Sequence, residues 1–352
     1  MTLTRQSPLG TRFGHYTRAA DIIDSTNLSG KTAVLTGGYS GLGIEITRAL
    51  VTGGAHVVVP ARRPDIARTT LAEFGDTVSV SYADLADIDS LRQFAEQFIA
   101  SGRPLEMMIN NAATMACPLN RIGRWDSQFA INHLGHFALT NYLFPALASA
   151  GASRVVSVSS SGHHFSPMRW EDVPFESGYD KWLAYGQSKT ANALFAVHLD
   201  ALGRAHGVRS FSLHPGSIMT PLLRHLPHEE MVDFGWIDDD GSPVDSSFKT
   251  VEQGAATAVW AATTPDLTGL GGLYLEDCDI AVPATDDRLF VGVRDYASDA
   301  DEAARLWRYS ADAIGVDAFS GVPAVTAARE NVRRLRRTVL RSVADRRSIG
   351  SR

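Results

Sequence analysis

The chain has few cysteines and lacks a long apolar run, and both features limit what it can be. Its two cysteines, Cys117 and Cys278, exclude a disulfide-rich scaffold, and neither has a CxxC partner for a metal or redox site. No uninterrupted apolar segment reaches the roughly 20 residues that a membrane-spanning helix needs. Residues 1–17 also lack the apolar core of a signal peptide, so we expect a cytoplasmic protein.

The composition is that of a globular protein, with 352 residues, 44% of them hydrophobic, and a formal net charge of -6. Apolar runs with the length of strands alternate with segments of helical periodicity. Nearly continuous apolar strands are typical of a parallel sheet that helices cover on both faces. The sequence therefore predicts an α/β fold with a Rossmann-type, doubly wound parallel sheet in one domain. The expected strands are 31–35, 56–59, 78–82, 105–109, 154–158, 208–213 and 272–275.

Three regions are expected along the chain. Residues 1–29 are predicted to be a loosely held arm with one short helix at 18–24. The dinucleotide-binding catalytic domain is expected at 30–320, with a substrate lid at about 217–250 and a carboxyl-terminal extension at 321–352. Within the domain, a helix that starts near Ser127 is expected to end at Phe144, because proline follows it.

A glycine-rich turn follows the first predicted strand and precedes a helix. Its glycines, Gly37, Gly41 and Gly43, depart from the GxGxxG spacing, but the strand–turn–helix order is that of a dinucleotide-binding unit. Glycines let the backbone approach a pyrophosphate, and the helix start offers N–H groups to it. A plain surface turn is the alternative. At the end of the second strand Arg62 and Arg63 suit a ribose 2′-phosphate, which favours NADP(H) over two merely solvated arginines.

Tyr185 and Lys189 lie four residues apart, so on a helix they share one face. A nearby cation favours the phenolate, and we expect it to lower the tyrosine pKa from its usual value of about 10. A phenol tuned in this way can exchange a proton with a carbonyl or alcohol oxygen. A surface pair without a role is the alternative, and other motifs decide between the two.

Those motifs make the chain resemble the short-chain dehydrogenase/reductase family over roughly residues 30–290. The shared features are Thr36-Gly-x-x-x-Gly-x-Gly43, Asn110-Asn-Ala-Ala113, Pro215-Gly216, and a tetrad of Asn132, Ser160, Tyr185 and Lys189. The segments 154–160 and 132–136, with the long stretch before Tyr185, resemble the branch that contains retinol dehydrogenases and the WW-domain oxidoreductase.

The resemblance implies a role for each member of the tetrad. Tyr185 would exchange a proton with the substrate oxygen while Ser160 stabilises the charge on it, Lys189 would also bind the nicotinamide ribose, and Asn132 would hold a water chain. It further implies the cofactor contacts Gly37, Tyr39, Ser40, Gly41, Leu42, Gly43, Arg62, Arg63, Asp84, Leu85, Asn111, Ala112, Ala113, Tyr185, Lys189, Pro215, Gly216, Ile218 and Thr220.

Substrate contacts are expected after the strands and in the lid, in a set that is mostly apolar. These candidates are Met115, His163, Phe165, Met219, Phe234 and Trp236. Acidic residues in the lid would repel anions, so a bulky hydrophobic small molecule is the expected substrate. A lid that merely seats on the sheet is the alternative. No metal is expected, and the histidines at 133, 136, 163 and 164 are expected to line surfaces.

The carboxyl-terminal residues 329–352 contain nine arginines and two acids, with apolar residues at helical spacing. Docking on the acidic body or on a second subunit is preferred over contact with membrane or nucleic acid. The leading hypothesis is an NADP-dependent enzyme, monomeric or homodimeric, that interconverts carbonyls and alcohols. The alternatives are a cofactor-binding regulatory or scaffold protein without turnover, and an adaptor acting through the arginine-rich tail; no nucleic-acid partner is expected.

Overall fold

The structure is a computed structural model, and it describes residues 6–24, 26–244 and 247–320. The chain divides into two compact units, residues 1–316 and 317–352. Of the second unit only 317–320 are described, and they include a turn. The predicted basic helix at 329–352 therefore lies outside the described residues.

An eight-stranded sheet is the centre of the first unit, and it confirms the predicted α/β class. Its spatial order is β3-β2-β1-β4-β7-β8-β9-β10, all parallel except β10, which pairs antiparallel with β9. The strands are β1 (Thr32–Leu35), β2 (His56–Ala61), β3 (Val78–Tyr82), β4 (Met107–Asn110), β7 (Ser153–Val158), β8 (Val208–His214), β9 (Leu273–Glu276) and β10 (Asp279–Ile280). A separate small hairpin is formed by β5 (Arg121–Ile122) and β6 (Trp125–Asp126).

Helices cover both faces of this sheet. They are α1 (Ala19–Ile23), α2 (Leu42–Thr52), α3 (Pro64–Thr70), α4 (Ile88–Ala100), α5 (Ser127–Phe129), α6 (His136–Ser149), α7 (Lys181–Gly203), α8 (His228–Asp233), α9 (Val251–Thr263), α10 (Asp295–Ser298) and α11 (Ala300–Ile314). On one face, α1, α2 and α9 bury apolar side chains against the strands. On the other, α4, α6 and α7 pack on the sheet and α11 packs on α7.

The strand order reverses between β1 and β4, because successive strands run outward from β1 in one direction and from β4 in the other. In open α/β sheets ligands bind at the carboxyl ends of the strands beside this reversal. The glycine turn after β1 and the Asn110–Ala113 motif after β4 both lie there. The topology therefore brings the two predicted cofactor motifs together.

The helix at Asn132 differs from expectation in two ways. It continues through Pro145 to Ser149, and between α5 and α6 the residues Ala130–Gly135 form a π-helical segment. Proline removes one backbone hydrogen bond, but Ala146 and Leu147 are buried just beyond it. The prediction that the helix ends at Phe144 was wrong, because burial of the last turn offsets that lost bond.

The described part of the amino-terminal arm, which starts at Gln6, is not loosely held. The side chain of Gln6 donates to the carbonyl oxygens of Tyr274 and Ala281, and the carboxylate of Asp279 accepts from the backbone N–H groups of Leu9 and Gly10. These bonds attach the arm to β9, β10 and the residue that follows. The sequence could not show this, because the partners lie about 270 residues away.

Candidate active site

Tyr185 and Lys189 lie on one face of α7, as their spacing predicts, and both are buried. The Nζ atom of Lys189 lies 5.6 Å from the centroid of the tyrosine ring. It donates to the carbonyl oxygen of Val158, the last residue of β7, at 3.0 Å. The lysine therefore ties the helix to the strand end beside the phenol.

Ser160 meets Tyr185 from the carboxyl end of β7. The serine Oγ accepts the backbone N–H of Gly162 at 3.0 Å, and both this Oγ and the tyrosine ring lie beside that glycine. A Cβ atom on Gly162 would lie only 2.6 Å from Cε1 of the tyrosine ring. Glycine at this position is what allows the ring and the serine to come together.

Burial sets the protonation of this pair. It raises the pKa of Tyr185 to about 12, and the neighbouring Ser160 hydroxyl opposes the shift. Burial also lowers the pKa of Lys189 to about 7. The expected lowering of the tyrosine pKa by the lysine is therefore wrong for this structure, because burial of the phenol is the dominant cause of its pKa shift. At neutral pH the phenol keeps its proton and is set up as an acid.

Asn132 lies in the π-helical segment, and its amide is fully used by protein partners. Its Oδ1 accepts from the N–H of Thr114, and its Nδ2 donates to the carbonyl oxygen of Thr114 and to Oγ of Ser188. These bonds join the loop after β4 to α7 close to the tyrosine. A water chain held by Asn132 stays a prediction.

The glycine turn fits a pyrophosphate because it has no room for side chains. A Cβ on Gly43 would lie 2.0 Å from the carbonyl oxygen of Gly37, and Gly37 itself has a positive φ of 68°. Helix α2 begins at Leu42, directly after the turn, so its first N–H groups face the carboxyl edge of the sheet. Partly buried Tyr39 and exposed Ser40 lie within the same turn.

Thr36 joins this turn to the loop after β4. Its Oγ1 accepts the backbone N–H groups of Asn111 and Ala112 at 2.9 and 3.0 Å, and its carbonyl oxygen accepts from the Asn111 side chain. Gly37 packs closely against Ala112. A Cβ atom added to Gly37 would lie 3.2 Å from the Cα and Cβ atoms of Ala112. Ala113 follows, partly exposed. The turn and this loop thus form one continuous wall.

The remaining predicted cofactor residues surround that wall. Arg62 and Arg63 are exposed at the end of β2. Asp84 and Leu85 follow β3. The carbonyl oxygen of Leu85 lies so close to Gly135 that a Cβ atom added to this glycine would come within 2.3 Å of it.

Beyond β8, the loop of Pro215 and Gly216 leads to Ile218 and Thr220. Thr220 lies next to Gly41: a Cβ atom added to this glycine would be 3.5 Å from Cβ of Thr220. These residues therefore share one carboxyl edge with the turn.

Comparison with known proteins agrees with this geometry. A model of the short chain dehydrogenase family matches residues 31–231. The chain belongs to the short-chain dehydrogenase/reductase family. As a member of that family it is an NAD(P)-dependent oxidoreductase, with related proteins named for that chemistry.

Similar proteins in this family cover most of the chain. A "probable oxidoreductase" of Streptomyces lividans is 41% identical over 298 residues, which is 82% of this chain and 99% of the relative. Human retinol dehydrogenase 11 is 33% identical over 298 residues, covering 83% and 88%. A crystal structure of a Mycobacterium paratuberculosis protein superimposes with a TM-score of 0.65 at 30% identity, covering 86% and 98%.

A second family structure carries a cofactor. It is described as an NAD(P) dependent gluconate 5-dehydrogenase from Beutenbergia cavernae with bound NADP. Its TM-score is 0.57 at 25% identity, and the match covers 71% of this chain and 96% of that one.

In this family member four of the six predicted substrate residues fall into two groups. Met115 is buried in a cluster with Tyr185 and Leu226, and Trp236 of the lid packs against that cluster. Phe165 and Phe234 are partly exposed, and the centroid of each ring lies 5.5 Å from that of Trp182. A fifth candidate, Met219, is partly buried at the start of the lid.

His163 does not fit the expected substrate role. Its ring is fully buried, and both ring nitrogens contact protein groups, so they are not available to a substrate. His133 and His136 are buried as well, which corrects the expectation that these histidines line surfaces. Within the described residues no group of three or more His, Cys, Asp or Glu side chains could hold a metal ion.

Three contributors were missed in the sequence. Trp182 lies three residues before Tyr185, and that spacing alone could have placed it on the same helix face. The ring centroids of Phe290 and Phe165 lie 5.3 Å apart. Lys249 packs against Gly216, and a Cβ atom added to this glycine would lie 2.6 Å from Cδ of the lysine. No local pattern marks Phe290 or Lys249.

No helix among the described residues is both long and apolar enough to cross a membrane.

Proposed function

We propose that this enzyme uses NADPH to reduce the carbonyl group of a bulky, uncharged, hydrophobic small molecule, or performs the reverse oxidation with NADP. The observation that carries the proposal is the meeting of Tyr185, Ser160 and Lys189 at the sheet edge that also holds the glycine turn. A protein that only binds the cofactor has no need of this buried acid.

The side chains divide the proton chemistry between them. When bound, NADPH supplies the hydride to the carbonyl carbon. Tyr185 gives its phenol proton to the carbonyl oxygen, and its raised pKa means that this proton is present at neutral pH. Ser160 Oγ already accepts from Gly162, so its own hydroxyl proton is free to hydrogen-bond the same oxygen.

The two arginines support the preference for NADPH. Arg62 and Arg63 are exposed at the end of β2, on the carboxyl edge where the ribose of the adenosine binds in Rossmann folds. A forked guanidinium suits a phosphate, whereas a 2′-hydroxyl is usually met by an acid. We therefore expect NADPH to bind more tightly than NADH.

The rings and methionine near Tyr185 support a hydrophobic substrate. Met115, Leu226 and the lid side chain of Trp236 lie in one apolar cluster with the tyrosine. Glu230 of the lid is engaged by Lys181 and Trp182 rather than left for a ligand. Retinol dehydrogenase 11, a relative at 33% identity, is named for an apolar alcohol.

A screen of NADPH consumption across ketones, aldehydes and quinones, with NADH in parallel, tests this function. We expect turnover of large neutral carbonyls, faster with NADPH. Turnover limited to small anionic keto acids would contradict the substrate class, and faster turnover with NADH would contradict the cofactor preference. Cytoplasmic location and a monomeric or homodimeric state remain predictions from the sequence.

A further inference from the structure

We propose that His163 and Tyr274 are positioning residues for the catalytic serine, because both donate to the carbonyl oxygen of Ser160 and fix the peptide that follows it. The inference rests on the proposed function, since it takes Ser160 to be catalytic. It concerns two side chains that never touch the reacting atoms.

The carbonyl oxygen of Ser160 accepts three hydrogen bonds. They come from the backbone N–H of His163 at 3.0 Å, from the His163 ring at 2.7 Å and from the Tyr274 hydroxyl at 3.1 Å. A carbonyl oxygen has two lone pairs, so three donors are more than it needs and surround it completely. Two of the three are buried side chains rather than the backbone of a neighbouring strand.

The proton on His163 can be placed by counting donors. The backbone N–H of Arg294 donates to Nε2 of the ring at 3.2 Å, so Nε2 has no proton of its own. Burial lowers the pKa of His163 to about 3, which keeps the imidazole neutral. A neutral ring must then carry its proton on Nδ1, the atom that faces the carbonyl oxygen of Ser160.

The other side of the same peptide is also fixed. The N–H of Ser161 donates to Nδ1 of His214 at 3.1 Å. The peptide unit is planar, so holding its oxygen on one side and its N–H on the other fixes its orientation. That orientation sets the direction in which the Ser160 side chain leaves the backbone towards Tyr185.

Much of this arrangement lies outside the part of the chain that matches the family model. Tyr274 is on β9, and Arg294 directly precedes α10, whereas the match ends at residue 231. The later part of the chain therefore completes the support of a serine that lies within the matched part.

Tyr274→Phe is the first test, because it keeps the ring and removes only the donor. Positioning predicts a kcat that is lower by about three- to tenfold, with an unchanged KM for NADPH. Tyr296→Phe is the matched control: it removes a hydroxyl from the same region that contacts His163 and not Ser160. An unchanged kcat in Tyr274→Phe overturns the role of the tyrosine.

Two substitutions separate the nitrogens of His163. Asn places its amide N–H near the position of Nδ1 and can still donate to the carbonyl oxygen of Ser160. Gln places its amide near Nε2 and keeps only the contact with Arg294. Positioning predicts that His163→Asn retains several times more kcat than His163→Gln, while equal losses or the reverse order would overturn the role of the histidine. Circular dichroism and NADPH binding report whether each variant has folded.

A double-mutant cycle with Ser160→Ala shows whether the effect passes through the serine. In the Ser160→Ala background, Tyr274→Phe should leave the residual kcat unchanged. A further loss of the same size in that background would mean that Tyr274 acts elsewhere, and it overturns the proposal. Absence of turnover in the wild-type enzyme overturns the proposed function and this inference together. Wild-type turnover with an unaffected Tyr274→Phe variant overturns this inference alone.

Discussion

The imidazole of His136 lies against Thr36, with Nε2 of the ring 2.9 Å from the threonine Oγ1. Oγ1 accepts from Asn111 and Ala112, and its own proton can go to Nε2 at 2.9 Å or to the carbonyl oxygen of Ile109 at 3.5 Å, so the shorter contact to the ring is the stronger one. The proton of the neutral ring is then on Nδ1, which donates to the carbonyl oxygen of Asn132 at 2.9 Å. One buried side chain thus joins the cofactor turn to the π-helical segment.

Replacing His136 should therefore affect the cofactor site. We expect His136→Phe to weaken NADPH binding by about three- to tenfold, because Thr36 loses the partner of its hydroxyl. His133→Phe is the matched control, since His133 lies one turn away among Phe129, Phe137 and Phe195 and does not contact Thr36. Fluorescence titration with NADPH measures both, and equal losses in the two variants would contradict a specific role for His136.

Removal of the phenol hydroxyl should separate chemistry from binding. In Tyr185→Phe we expect kcat to fall by at least about a hundredfold, because the proton donor is lost, while NADPH binding stays nearly intact. Lys189→Ala should impair both, since the lysine is also expected to hold the nicotinamide ribose. Steady-state kinetics and NADPH titration test this pair. Activity close to wild type in Tyr185→Phe across several substrates would rule out the proposed mechanism.

Lys189 also predicts a pH dependence of stability. Burial lowers its pKa from 10.5 to about 7, so the folded protein resists a proton that the unfolded chain binds. The penalty is complete below about pH 7 and disappears as pH rises towards the unfolded pKa of about 10.5. Lys189→Met should therefore raise the free energy of unfolding, relative to wild type, more at pH 7 than at pH 10. Urea denaturation at both pH values measures the difference, and a pH-independent difference would contradict the shift.

The sequence predicted most of the fold because the signals for it are local. Apolar strands, glycine turns and the four-residue spacing of Tyr185 and Lys189 can each be read within a short window. The partners of the buried histidines cannot: Tyr274 is 111 residues from His163, and Ser310 is 177 residues from His133. The sequence also could not predict that burial raises the pKa of Tyr185. The burial of a side chain on α7 depends on every element that packs over that helix.

Arg62 and Arg63 should decide between the two nicotinamide cofactors. Replacing both with Gln is expected to weaken NADPH by tenfold or more, since a charge-assisted contact contributes about 1.5–3 kcal/mol. NADH lacks the 2′-phosphate, so its dissociation constant should change little. Arg68→Gln, on the nearby helix α3 and paired with Asp65, is the control. If the dissociation constants of both cofactors rise equally, the arginines do not contact the phosphate.

The lid should control which substrates are accepted. Phe234 and Trp236 form one aromatic group with Trp182, at centroid distances of 5.1 Å within the lid and 5.5 Å from Phe234 to Trp182. Trp182 precedes Tyr185 by nearly one helical turn, so these rings lie next to the proposed acid. Glu230 holds the lid there, because its carboxylate accepts from Trp182 Nε1 at 2.8 Å.

Trimming those rings should weaken the binding of large substrates specifically. Phe234→Ala and Trp236→Ala are expected to raise KM for polycyclic ketones or aldehydes several-fold, because a ring buries much apolar area against a large ligand. Small carbonyls do not extend to the lid, so their KM should stay close to wild type. Val244→Ala, another exposed apolar side chain between 217 and 250, is the control for a general loss of lid packing. Initial-rate measurements over a size series decide it: an equal rise in KM for small and large substrates would show that the lid rings do not line the substrate site.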